Sequence, residues 1–88
     1  MATDIGWAIN ELHNGRRVRR EGWNGKGMWI ALQEPDENSK MTLPYVFMMT
    51  TQGELVPWQC SQSDLLATDW EDAYGDTTEA ETKTRARA

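Results

Sequence analysis

The chain has 88 residues, with 9 Lys and Arg against 14 Asp and Glu, a formal net charge of -5 and a pI near 4.7. That length suits one small domain, which buries only about 60% of the surface its unfolded chain exposes, so partner subunits are a natural completion of its core. The acidic balance argues against DNA as a partner, because nonspecific affinity comes from neutralising phosphates with Lys and Arg, and no apolar run approaches the ~20 residues of a membrane span.

The opening MATDIGW lacks the basic, then apolar, then small-residue order of a secretory signal. The single Cys60 cannot form an intrachain disulfide, so a reducing cytoplasm is the expected compartment.

From Thr3 to His13, Ile5, Ala8, Ile9 and Leu12 recur at helical spacing. Thr3 or Asp4 can cap the start and Asn14-Gly15 supplies a left-handed stop, which predicts a short amphipathic helix. The RRVRR run that follows alternates Arg16, Val18 and Arg20 on one strand face with Arg17 and Arg19 on the other. Met28 to Gln33 and Tyr45 to Thr50 are rich in β-forming residues with apolar side chains on both faces. Thr51 to Glu54 signals a hairpin turn, pairing Tyr45–Thr50 with Leu55–Trp58. Pro57, which lacks an amide proton, belongs on an edge. Ser61 to Asp64 has the spacing of a capping box before Leu65, Leu66 and Ala67, and Asp69 to Tyr74 reads as a last strand.

The predicted class is α+β: a small antiparallel sheet with an N-terminal helix and a short helical turn before the last strand. One helix covers one face of that sheet, and homo-oligomerisation is the expected cover for the other. Residues 1–74 are expected to form the domain. Residues 75–88 have no large apolar side chain to offset the entropy of ordering and are expected to be a disordered polar tail.

No metal and no cofactor are expected, since one His and one Cys leave no paired ligand spacing. No catalytic residue is assigned. His13 reads as a helix C-terminal residue, Cys60 as a small buried apolar residue, and the acids Asp69, Glu71 and Asp72 as a solvated strand face. Five of the nine basic residues, Arg16, Arg17, Arg19, Arg20 and Lys26, lie within eleven positions, where a small anion is welcome even on an acidic protein.

The loop GWNGKG exposes Trp23 and Asn24 between glycines whose backbone amides suit an anion, and it equally suits a plain turn with Trp23 folded back onto the sheet. Trp58 ends a strand just before a capped helix turn, and reads either as a ligand-facing indole or as a core residue beside an ordinary cap. Trp7, Trp29 and Trp70 have no such context and are expected in the core or a subunit interface. Together, aromatics for stacking, arginines for phosphate, and Asn24, Gln62 and Asp64 for polar edges describe a binder rather than a catalyst.

The ordered set RRVRREGWNGKGMW, LPYVFMMTTQGELVPW and SQSDLLATDWE, spanning with the leading helix about Asp4 to Tyr74, resembles the small phage-encoded Thoeris anti-defence proteins of the second type. The resemblance implies a compact antiparallel-sheet domain in a homotetramer, with nucleotide pockets between protomers, acting in the host bacterial cytoplasm. It implies sequestration of glycocyclic ADP-ribose made by an immune sensor. Uptake of cyclic oligonucleotides, as in CBASS signalling, is implied for some members at a separate site. By the same resemblance Trp23 and Trp58 match pocket positions, and Asn24, Gln62 and Asp64 the polar parts of those motifs. Arg19 or Arg20, with the loop amides, is assigned to the diphosphate. The loop between Gln33 and Leu43 and the tail after Tyr74 match no family motif. The competing readings are a nucleotide-cleaving enzyme, a phage structural or assembly protein, and a nucleic-acid binder using the arginine run.

Overall fold

A computed structural model describes residues 3–23 and 26–73. Helix α1 (Ile5–His13) begins at Asp4, whose side chain accepts from the Trp7 amide at 3.0 Å. It stops in a paired set of hydrogen bonds, Gly15 N–H to Leu12 C=O and Arg16 N–H to Glu11 C=O, both 3.0 Å. That closure needs the left-handed backbone that Gly15 adopts at φ 80. Thr3, the other expected cap, instead ties the chain to the last strand: its carbonyl accepts from the Trp70 amide and its hydroxyl donates to the Trp70 carbonyl.

Five strands follow: β1 (Val18–Arg20), β2 (Trp29–Gln33), β3 (Tyr45–Met49), β4 (Leu55–Pro57) and β5 (Trp70–Asp72), with α2 (Gln62–Leu66) between β4 and β5. They form one antiparallel sheet in the order β4-β3-β2-β1-β5. The expected α+β architecture is therefore the observed one. β1 begins two residues later than the arginine run suggested, although the Arg17 carbonyl still accepts from the Ala73 amide. The β3–β4 hairpin turns on Thr50 and Gly53, with Gly53 at φ 82 and the Thr50 amide donating to the Glu54 carbonyl at 2.9 Å. Pro57 lies on the edge strand β4, as its missing donor requires. Ser61 caps α2 by accepting from the Asp64 amide at 3.1 Å.

The register sorts the side chains. Val18 lies opposite Ile30 and Ile30 opposite Met48, so these share the face that α1 covers with Ala8 and Leu12. Trp70, 1% exposed, completes this cluster, and Trp7, Trp23 and Trp58 pack against it, partly buried. On the opposite face Trp29, Ala31, Phe47, Met49 and Ala73 form a second buried group. Arg17, only 4% exposed, lies over the Trp29 ring at 4.4 Å from its centroid. The apolar character of both faces of β2 and β3 thus reflects two clusters, one on each side of the sheet. Each fully buried large side chain contributes about 1.5–3 kcal/mol.

One expectation is corrected. Cys60 is exposed, because it sits in the connection between β4 and α2 rather than on the covered face.

Candidate functional site

The site is built where β1 ends beside β5. Antiparallel pairing sets Arg19 opposite Glu71 and Arg20 opposite Trp70. Arg19 Nε donates to Glu71 Oε2 at 2.8 Å, an ion pair whose two side chains are 31% and 40% exposed. Arg20 lies on the other face of the sheet and is more enclosed. Its Nε donates to Asp69 Oδ1 at 2.7 Å and its Nη1 to Asp64 Oδ1 at 2.9 Å. The acids read as a solvated strand face are therefore in large part arginine partners: Asp69 holds Arg20 and Glu71 holds Arg19.

These contacts move the proton affinities in the expected directions. The hydrogen bond to Asp69, then that to Asp64, raises the Arg20 pKa above its usual range against the opposing effect of desolvation. Asp69 is held below the ordinary carboxylate range, first by Arg20 and further by the Gly22 amide, with desolvation opposing. Cys60 is pushed up by partial desolvation and by the charge of Asp64, which disfavours the thiolate a nucleophile requires.

The glycine loop leaves β1 under the control of the same acids. The Gly22 amide donates to Asp69 Oδ2 at 2.8 Å, and the Glu21 amide to the Asp69 carbonyl at 3.0 Å. The approach is close at Gly22: a Cβ there would stand 2.9 Å from Asp69 Oδ2, so a larger residue would have to displace the carboxylate that Arg20 holds. Trp23 Nε1 donates to Asp64 Oδ1 at 3.1 Å. The Trp23 ring meets Trp70 edge to face with centroids 5.4 Å apart, and Trp58 meets the same ring at 6.1 Å. Trp70 in turn donates its Nε1 to the Asp64 carbonyl at 3.2 Å. Trp23 thus both folds back onto the sheet and keeps a partly exposed surface.

A surface cavity of about 350 Å³ opens beside this cluster, lined by Arg19, Arg20, Glu21, Trp23, Lys26, Gly27 and Glu71. Of the residues singled out in the sequence, the structure brings Arg20, Trp23 and Asp64 into direct contact and sets Arg19 on the same cavity. Trp58 meets Trp70, the ring that Trp23 also meets, and Gln62 is exposed at the first position of α2. Asn24 lies outside the described residues. Asp69 and Glu71 were missed as parts of the site. The signal available for them was the alternation of acids in DWED against the alternation of arginines in RRVRR, which becomes informative only once the two strands are known to pair. Among the described residues, no group of three or more His, Cys, Asp or Glu is placed to hold a metal ion.

The sequence model of the Thoeris anti-defense 2-like domain matches residues 3–73, the stretch that carries every element of this fold. The chain belongs to that family. It is also 32% identical over 80 residues to the protein named Thoeris anti-defense 2 of Bacillus phage SP01, an alignment covering 76% of this chain and 90% of that protein. The Thoeris anti-defense 2-like match includes the arginine strand, the glycine loop and α2, so the ion-paired cluster lies wholly within the family domain. The expected membership and the anti-defence role that goes with it are thereby established. No helix among the described residues of this family member is long and apolar enough to cross a membrane.

Proposed function

We propose that this protein is a phage anti-defence sponge that binds a cyclic nucleotide immune signal, glycocyclic ADP-ribose or a cyclic oligonucleotide, and withholds it from its effector without cleaving it. The observation that carries the reading is the cavity at the end of β1, where an indole stands beside Arg19, Arg20 and Lys26. In this reading Trp23 stacks on a base or ribose, and the arginine side and loop amides face the diphosphate. Asn24, Gln62, Asp64 and Trp58 complete the polar and aromatic surroundings.

Magnitudes support a composite site. Nanomolar retention requires about -12 kcal/mol. One stacked base contributes about 1–3 kcal/mol and one charge-assisted hydrogen bond about 1.5–3. A cavity of about 350 Å³ also lies at the small end of the ~300–1,000 Å³ range of ligand pockets. Completion of the pocket by a neighbouring protomer in a homotetramer meets both shortfalls. The exposed Ile9, Tyr45, Leu55, Val56, Leu65 and Leu66 supply apolar surface for such contacts. Glu71, an acid on the cavity wall, is engaged with Arg19, which suits holding a ligand better than transferring a proton. Residues 1–74 act as the sponge domain with 75–88 as an appended polar tail, and the site of action is the host cytoplasm.

The test is to incubate the purified protein with glycocyclic ADP-ribose and separately with cyclic oligonucleotides, remove free ligand, denature by heat and identify what is released by mass spectrometry. Intact nucleotide is expected. Altered nucleotide would establish an enzyme instead, and nothing retained from either set would leave a structural or assembly role. Trp23→Ala, checked for an unchanged oligomer, is expected to weaken retention about 5- to 150-fold, the equivalent of one lost stack. Wild-type affinity in that folded variant sinks the stacking assignment.

A further inference from the structure

Arg20 is the centre of a brace that joins β1, the glycine loop, α2 and the start of β5. Its guanidinium meets Asp69 at 2.7 Å and Asp64 at 2.9 Å, and each of those carboxylates also takes a donor from the loop. Asp64 Oδ1 accepts from Trp23 Nε1 at 3.1 Å, and Asp69 Oδ2 from the Gly22 amide at 2.8 Å. The Arg20 and Asp64 side chains are 19% and 12% exposed, against 31% and 40% for Arg19 and Glu71. Breaking the enclosed set leaves a carboxylate or guanidinium poorly solvated, whereas an exposed ion pair exchanges partners at small cost.

We propose that Asp64 and Asp69 are positioning residues: they fix the Trp23 indole and the Gly22 backbone in one geometry before any ligand arrives, and Arg20 serves as their brace while Arg19 and Lys26 face the ligand's anionic groups. Asp64 then acts through the Trp23 N–H rather than by touching ligand. Its Oδ1 already accepts from both Arg20 and Trp23, and its backbone carbonyl is taken by Trp70. A ligand that stacks on a fixed indole does not bear the entropy of ordering it, so apparent affinity follows the fraction of molecules with the loop in place. The part of this proposal that concerns affinity rests on the sponge reading; the part that concerns the loop does not.

The two parts are tested separately on the full chain. Hydrogen exchange of the Trp23 indole N–H and the Gly22 amide, followed by NMR without ligand, is compared between wild type and Asp64→Asn. Arg20→Lys serves as a second variant that keeps the charge but cannot bridge both acids. Exchange at these two sites is expected to accelerate at least about threefold, with protection of the Val18 and Ile30 amides unchanged, because a charge-assisted bond is roughly twice as strong as a neutral one. Unchanged exchange in both folded variants overturns the brace. For binding, Asp64→Asn is expected to weaken nucleotide retention about 10-fold in wild type and less than about threefold in a Trp23→Phe background, which has no indole N–H to hold. An equal loss in both backgrounds overturns action through Trp23 and makes Asp64 a direct ligand contact. If the wild-type protein retains no nucleotide at all, the sponge reading fails while the exchange measurement still decides the brace.

Discussion

The two edges of the sheet are built on different physical principles. At the β5 edge, arginines of β1 are paired across the sheet with Glu71 and Asp69, and Thr3 closes the flank by bonding to Trp70. At the β4 edge, β3 and β4 contain no charged residue, and Leu55, Val56 and Pro57 stand exposed. The polar edge holds its geometry through directional bonds, and the indole and the cations of the candidate site are found there. The apolar edge is held by the β3–β4 ladder and leaves hydrophobic surface for whatever covers it. Directional contacts make a surface precise, and apolar contacts make it adhesive. A protein of this size divides the two between its edges.

The sharpest way to break this contrast is at Trp70, the residue through which the polar edge reaches the core. It is 1% exposed, flanked by Trp23 and Trp58, and bonded to the Asp64 carbonyl. Trp70→Ala is expected to cost about 3–5 kcal/mol in chemical denaturation, enough to unfold a large share of so small a domain. A loss below about 1 kcal/mol means that the tryptophan cluster is not part of the core.

A smaller effect, confined to the polar edge, is its response to acid. The folded pKa of Asp69 lies below its unfolded value, so its pairing with Arg20 contributes fully above pH about 4 and is lost as pH falls through the lower, folded value. Asp69→Asn removes that contribution at neutral pH. It is therefore expected to lower stability at pH 7 and to flatten the decline of stability with acid, seen in denaturation midpoints taken from pH 7 down to 3. Parallel acid profiles for the two proteins would show that Asp69 carries no linkage.

The smallest change is expected at the other edge. Val56→Lys places a charge on a strand position that is 37% exposed, and the stability of the isolated protomer is expected to move by no more than about 0.5 kcal/mol. The informative reading is the oligomer: if β4 supplies protomer contacts, the same variant elutes as a smaller species in size-exclusion chromatography. An unfolded Val56→Lys protomer would mean that the β4 edge is core rather than surface.

Much of the fold was legible in the chain itself, because its signals are local. The Asp4 and Ser61 caps, the Gly15 stop and the Gly53 turn each depend on a few neighbouring residues, and each stands where the sequence put it. Periodicity likewise marked both faces of β2 and β3 as apolar before the two clusters were seen. The ordered motifs were sufficient to indicate the family.

What only the tertiary structure decided is which charge meets which. Arg20 and Asp69 are 49 residues apart and Arg19 and Glu71 are 52 apart, so their pairing depends on the β1–β5 register and not on any local preference. The same register sends Arg19 and Arg20, neighbours in sequence, to opposite faces: both reach the cavity wall, but Arg19 forms a half-exposed pair with Glu71 and Arg20 a more enclosed brace with Asp64 and Asp69. Exposure of Cys60 was decided in the same way, by where a connection runs and not by what the residue prefers. Local preference depends on backbone sterics and near hydrogen bonds, whereas the environment of a charge depends on the long-range packing that sets its neighbours.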